Sequence, residues 1–343
     1  MLRDYLSRYG LIALLAAGPV LFAIHDLAVD GNLVRLGNNL VAGFSNGAIW
    51  ALVALGYTLV YGIVELINFA HGEVFMIGSF VSFGLLNQLG LGLTSAPLGL
   101  VGGLLVCLLA SMLVSGSLNV MIERVAYRPL RNAPKLAPLI TAVGFSFILQ
   151  SVGQLWLGGS QVGVPDLLRG QQQLFNVWGV HVDRADALAL GLTIPLVALL
   201  STFITQSRLG KAMRATAQDP EAARLMGINV DTTISLTFLL GGLLAGAGGL
   251  IYALYQTNVW FFQGFRAGLF AFTAAVMGGI GNIRGAVLGG FIIGIIQQLA
   301  DNRVRIGGLG GGEWTSVIVF GYLILIMTLR PQGLLGEETR EAG

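Results

Sequence analysis

The spacing of its charges constrains this chain more than any other feature. Lys, Arg, Asp and Glu gather in a few short stretches, and between them run apolar stretches of about 20 residues. Such a stretch crosses about 30 Å of hydrocarbon as a helix. Inside lipid the backbone must satisfy its own hydrogen bonds, so a span is a helix or part of a closed barrel. Barrel strands alternate apolar and polar residues over about ten positions. Segments such as Trp314–Leu329 and Leu188–Ile204 are instead apolar on all sides. Only 10% of the 343 residues are charged, against about 25% in soluble domains. The charged helix faces of a large soluble core are therefore missing. The fold expected is an all-α integral membrane protein.

Ten spans are read from the pattern: Leu11–Val29, Leu40–Tyr61, Val74–Leu89, Leu98–Val120, Leu136–Leu157, Leu188–Thr205, Thr232–Tyr255, Gly268–Ile280, Ala286–Leu299 and Trp314–Leu329. The eighth and ninth are short. Fifty glycines allow membrane helices both to approach closely and to break. Pro19 lies inside the first apolar run, which has no clear small-x-small cleavage site after it, so the run reads as an uncleaved span rather than a signal peptide. The loops are too short for an independent soluble core, so residues 1–343 read as one transmembrane domain.

Cytoplasmic loops collect Lys and Arg. Arg124, Arg128, Arg131 and Lys135 form one cluster, and Arg208, Lys211, Arg214 and Arg224 a second, two spans later. Placing both clusters, both termini and Arg284 inside leaves only Arg35, Arg169, Arg184, Arg266, Arg303 and Arg305 elsewhere. Both termini are then cytoplasmic, and the stretch Gly158–Ala185 is external. Its Asp166, Asp183 and Asp186 read as solvated loop charges, with docking contacts for an external protein as the alternative. Trp156, Trp178, Trp260 and Trp314 lie near span ends, where indole favours the interface.

Two polar breaks and one polar loop carry the candidate chemistry. The first break is Glu65-Leu-Ile-Asn68-Phe-Ala-His71-Gly72-Glu73. Ionisable groups at membrane depth are costly and suggest function, and transporters place broken helices around a substrate path. Asn68, His71 and Glu73 therefore either line a pathway or hold a helix break. The alternative is a turn at the inner face, with Glu73 capping the third span. The second break, Met277-Gly278-Gly279-Ile-Gly-Asn282-Ile-Arg-Gly285, has the same two readings for Gly278, Gly279 and Asn282. It loosely resembles the first break, as a duplicated architecture would require and as chance between glycine-rich segments also allows. No G-x-x-x-x-G-K-[ST] occurs in the chain, so ATP hydrolysis by this chain is not expected. Net charge is +2 and points to no nucleic-acid partner. A lone Cys107 in an apolar run reads as a packing residue. No cofactor, metal site or catalytic set is expected.

The loop is residues 206–231. Asp219 suits a helix N-cap and Pro220 the first helical position. Glu221 adds charge favourable to the first turn, and Gly227 suits the stop. A short helix, about Pro220–Met226, is predicted. Its small Ala222 and Ala223 and apolar Leu225 and Met226 fit a groove on a partner, or the helix is a capped loop without one.

Glu221-Ala-Ala-x-x-x-Gly227 resembles the EAA loop of ABC-transporter permeases, although the later Ile-x-Leu-Pro part is absent. The run Arg214–Asn229 resembles the corresponding loop of LivH-type branched-chain amino-acid permeases. So do Gly56–Glu73 and Ala274–Gly290, and the resemblance covers about Asn38 to Gly336. The extra N-terminal span (1–37) and the external insertion around Gln161–Asp186 depart from it, and both lie away from the matched motifs. The resemblance implies a permease subunit in a bacterial inner membrane, with Asp219–Gly227 as a cytoplasmic coupling helix. Its implied partners are a second homologous permease, two cytoplasmic ATPase subunits, an external solute-binding protein and a branched-chain or related hydrophobic amino acid. Related permeases carry urea, amides or aromatic acids, so these stay open. A different class is also open: an ion-coupled secondary transporter with Glu65, His71 and Glu73 as a proton relay.

Overall fold

Small residues set how closely these helices approach. In the computed structural model, which describes residues 2–92, 97–131, 133–134, 136–168, 173–305 and 310–336, nearly all elements are helical. Lys135 and Arg169 of the charge argument lie outside the described residues. In chain order the elements are α1 (Leu2–Val29), α2 (Val34–Val64), α3 (His71–Gln88), α4 (Pro97–Ile122) and α5 (Leu136–Leu157). Then come β1 (Val162–Gly163), β2 (Gln173–Val177), β3 (Val180–Asp183), α6 (Arg184–Gln206), α7 (Arg208–Gln218) and α8 (Pro220–Leu225). The chain continues with α9 (Val230–Gln256), β4 (Asn258–Val259), α10 (Gln263–Gly278), α11 (Ile283–Arg303) and α12 (Gly311–Leu329).

Burial sorts the helices into two shells. In the apolar stretches of α2 and α9, 78% and 72% of residues are buried, against 17% in α4 and in α12 and 22% in α6. The outer helices turn Leu105, Leu109, Leu113, Ile194, Leu199 and Ile324 outward. A continuous apolar exterior of this kind suits a lipid surface.

Helix α2 packs antiparallel on α11 through paired glycines: Gly43 and Gly47 on one helix face Ile295 and Phe291 of the other, and Gly290 faces Ala51. Helix α9 uses Gly242 and Gly246 against Ser111, Met112, Ser115 and Gly116 of α4. Without side chains at these positions the backbones touch directly, which drives helix association in lipid where hydrophobic exclusion does not. Trp50 Nε1 then reaches Gln297 at 2.6 Å, and Asn46 Nδ2 reaches Gln298 at 2.9 Å across the α2–α11 seam.

Among the described residues seven helices are long and apolar enough to cross a membrane: α2, α4 with its continuation, α5, α6, α9, α11 and α12. The other three expected spans coincide with α1, whose apolar stretch is Leu15–Val29, and with α3 and α10. Helix α10 begins at Gln263, five residues before the expected Gly268. Gln263 and Arg266 interrupt the apolar pattern, yet Gln263 is buried and donates to Ser79 Oγ on α3.

The described residues of the stretch expected to be external include three strands. Strands β2 and β3 form an antiparallel hairpin, and β1 pairs with β4. The hairpin turns at Trp178 and Gly179, whose φ values are 53° and 88°, as a two-residue primed turn requires. Asp186 is not a solvated loop charge, and the half-buried Asp183 is the N-cap of α6. Asp186 is buried, and its carboxylate accepts the Asp183 N–H at 3.0 Å, forming the start of α6. The hairpin touches the beginning of α2, where Asn38 Oδ1 accepts the His181 N–H at 2.8 Å. At the opposite end of the helices lie α7, α8, the α10–α11 turn and the segment Gly333–Gly336.

Candidate functional site

Helix α2 stops at Val64 because Glu65 takes a left-handed conformation (φ 53°). The chain then turns back along α2 without helical structure. His71, the first residue of α3, has its ring edge-on to Tyr57 at 4.9 Å between centroids, and a Cβ at Gly56 would collide with that ring. Gly56 lies eight residues before Val64, or about 12 Å along the helix axis. The break thus runs from the exposed Glu65 to Asn68 and His71, which are buried among the helices. Leu66, Ile67 and Phe69 pack against the core and cover it, which is how irregular backbone is tolerated at this depth.

Asn68 organises the break. Its Oδ1 accepts the Ala70 N–H at 3.2 Å, and its Nδ2 donates to Asn119 Oδ1 at 3.1 Å. Asn119 in turn donates to the Phe238 carbonyl of α9 at 2.6 Å. Tyr127 donates its hydroxyl to the Ile67 carbonyl at 3.2 Å. Asn119, Glu123 and Tyr127 were not singled out from the sequence. Their four-residue spacing on one helix face was the available signal.

Glu73 is fully buried two residues into α3. One carboxylate oxygen accepts from Gln150 Nε2 at 2.9 Å and from Ser146 Oγ at 3.2 Å, both on α5. The other oxygen meets no donor among the described residues and faces Gly264 of α10, where a Cβ would collide with it. A narrow cavity of about 50 Å³ opens between α5 and α10, lined by Tyr57, Ser146, Phe147 and Gly268. Ser146 and Gln150, again four residues apart, were also missed. Glu65 is exposed, unlike His71 and Glu73, so the three residues of the relay reading sit in different surroundings.

Gly278, Gly279 and Asn282 make a different kind of break. Gly279 and Gly281 have φ values of 106° and 92°, so the α10–α11 turn needs glycine there. Asn282 Oδ1 caps α11 by accepting from Arg284 and Gly285, and its Nδ2 donates to the Leu335 carbonyl at 2.7 Å. The N–H groups of Leu334 and Leu335 donate to Met277 and Gly278 carbonyls, both at 2.9 Å. The second break is therefore a turn clasped by the C-terminal segment. Both breaks share an Asn whose side chain accepts from the residue two ahead at a helix start.

The loop helix forms where its capping residues place it. Asp219 Oδ1 accepts the N–H groups of Glu221 and Ala222, both at 2.9 Å. Pro220 is the first helical residue, and Gly227 (φ 82°) follows the last turn. Ala223 is buried against the body, while Leu225 and Met226 are 89% and 82% exposed. Helix α7, unforeseen in the sequence reading, lies beside α8. Between them is a groove of about 550 Å³ walled by Ala212, Ala215, Ala222 and Met226, with Arg208 and Lys211 on its rim.

The family model described as branched-chain amino acid transport system / permease component matches residues 39–328. The chain belongs to this permease family. The high-affinity branched-chain amino acid transport system permease protein BraD of Pseudomonas aeruginosa is 40% identical over 302 residues, covering 87% of this chain and 94% of BraD. The LivH permease protein of Escherichia coli K12 is 39% identical over 297 residues, covering 86% and 93%. The LivM permease protein of Salmonella typhimurium is 26% identical over 313 residues, covering 84% and 68%. In the permease the match runs from the early part of α2 to the end of α12, so it contains both breaks and the α7–α8 groove. Helix α1 precedes it. A buried ion pair joins α1 to the matched core: Arg303 donates to both Asp26 oxygens at 2.7 and 2.5 Å.

Proposed function

We propose that this permease is the membrane-spanning subunit of an ATP-driven importer for branched-chain or related hydrophobic amino acids. The observation that carries the reading is helix α8: capped at Asp219, anchored by Ala223, and presenting Leu225 and Met226 beside an apolar groove. Two exposed apolar side chains on a short loop helix fit a hydrophobic pocket of a partner. The partner proposed is a cytoplasmic ATPase subunit, of which two would serve a pair of similar permeases, and an external binding protein would deliver substrate at the hairpin end. A cytoplasmic α7–α8 end is supported by Arg128, Arg208, Lys211, Arg214, Arg224 and Arg284 in the loops there. The count of ten spans, with α1, α3 and α10 added to the seven apolar helices, belongs to the same proposal.

In operation, ATP binding closes the ATPase pair and moves α8, which biases the helices between two arrangements. Asn68, His71 and Glu73 sit at the break beside the path, and the mostly apolar surroundings suit an aliphatic side chain. Family members with urea, amides or aromatic acids as substrate would need the same coupling. Glu221→Lys in the assembled complex, reconstituted in vesicles with ATP, is expected to abolish leucine uptake and to lower recovery of the ATPase subunits. Normal uptake with normal assembly would overturn the reading.

A further inference from the structure

Beyond the exposed docking face, the base of α9 is tied to the end of α4 by an ionic joint that runs from the buried Glu123 to the half-exposed Asp231. Glu123 is fully buried. One of its oxygens accepts from Arg131 Nη2 and the other from Ser235 Oγ of α9 at 2.6 Å. Arg131 uses its other terminal nitrogen on Asp231 Oδ1 at 2.5 Å, and Arg128 donates to the second Asp231 oxygen at 2.8 Å. One guanidinium therefore bridges two carboxylates, which its planar fork allows and an ammonium does not.

Position gives this joint its significance. Asp231 is the second residue of α9 and follows the end of α8 by six residues. The short link between them is itself pinned, since the Ile228 N–H donates to the Ala223 carbonyl at 3.0 Å and Asn229 caps α9 by accepting from Thr232. On the other side, Glu123 opens a π turn, Glu123–Tyr127, in which α4 carries an extra residue. Such turns mark places where a helix changes geometry. One helical turn above Glu123 is Asn119, bonded to Asn68. A groove of about 290 Å³ lies beside Arg128 and Asp231, and next to it the Tyr127 and Phe238 rings pack at 5.3 Å between centroids, so ions and packing together hold this end of the helix pair.

We infer that Arg131, bridging Glu123 and Asp231, is a positioning residue that passes movement of α8 to α4 and thence to the Asn68 break. The inference rests on the importer reading. Physical coupling needs a connected element that both sites bias, and the joint supplies the connection: α8, its pinned link, Asp231, Arg131, Glu123 and Asn119.

The test uses the complete complex in vesicles, measuring substrate taken up per ATP hydrolysed and the amount of assembled complex. Asp231→Asn removes a half-exposed charge and leaves the buried Glu123–Arg131 pair intact. Arg131→Lys keeps a charge on Glu123 but not the two-sided bridge. Both variants are expected to assemble, and both are expected to lose about tenfold in uptake per ATP, within the usual range for coupling between sites. A wild-type ratio in either variant overturns the inference while leaving the importer reading intact, as does a loss of uptake in proportion to lost assembly. ATP-independent uptake by the unaltered complex overturns the importer reading and the inference with it.

Discussion

Replacing Gly290 by alanine puts a methyl group against backbone that has nowhere to go. Its Cβ would stand 2.5 Å from Ala51 Cα, 2.6 Å from Ala51 N and 2.7 Å from Ala51 Cβ. Carbon atoms rest at about 3.5–4.0 Å, so α2 and α11 must separate by about 1 Å at this point. A gap of that size forfeits roughly a quarter to a half of each contact's attraction, and overpacking of this kind costs about 1–3 kcal/mol. The cost falls in the upper half of that range because the obstacle is backbone and Ala51 is fully buried. Alanine's better helix propensity returns about 1 kcal/mol. The net expectation is about 1–2 kcal/mol of destabilisation, a fall of a few degrees in the unfolding midpoint. Gly321→Ala on α12 is the control, since a Cβ there meets nothing within 4 Å. Thermal unfolding in detergent, followed by size-exclusion fluorescence, should rank Gly290→Ala below wild type and Gly321→Ala at or above it. A midpoint for Gly290→Ala at or above wild type would refute the glycine seam as the packing of α2 on α11.

Asp219→Ala removes the cap that takes the Glu221 and Ala222 N–H groups. It is expected to loosen α8 by about 1 kcal/mol and to reduce ATPase subunits recovered with the permease, measured by co-purification. Arg303→Ala takes the guanidinium from the buried Asp26 and leaves it only the exposed His25, 3.6 Å away, a change that costs up to about 3–5 kcal/mol. Hydrogen exchange should rise across Leu15–Val29, while Asp26→Asn combined with Arg303→Gln should raise it less.

Local chemistry made α8 legible in advance. Asp219, Pro220 and Gly227 act on neighbours within one turn, so their pattern predicts a helix whose observed bounds are Pro220–Leu225. The apolar spans were legible for the same kind of reason, because hydrophobic length is read along the chain. The polar interior was not. Asn119, Gln150 and Gln263 find partners on other helices, and a single buried amide inside an apolar helix gives no sign of which helix it will meet. The break at Asn68 is visible in the sequence but its depth is not, because charge counting locates loops and cannot reveal a chain that doubles back along α2. Asp186 was read as solvated because its burial depends on the hairpin folding over the start of α6.

The direct test of the coupling surface is protection of Met226. Met226 is 82% exposed, and Cys107, the chain's one cysteine, is buried, so Met226→Cys supplies a single accessible thiol. The account predicts rapid maleimide labelling of the isolated permease, strong protection once the ATPase subunits are bound, and a disulfide crosslink to a cysteine placed in the ATPase pocket. Equal labelling rates with and without the ATPase subunits would contradict it.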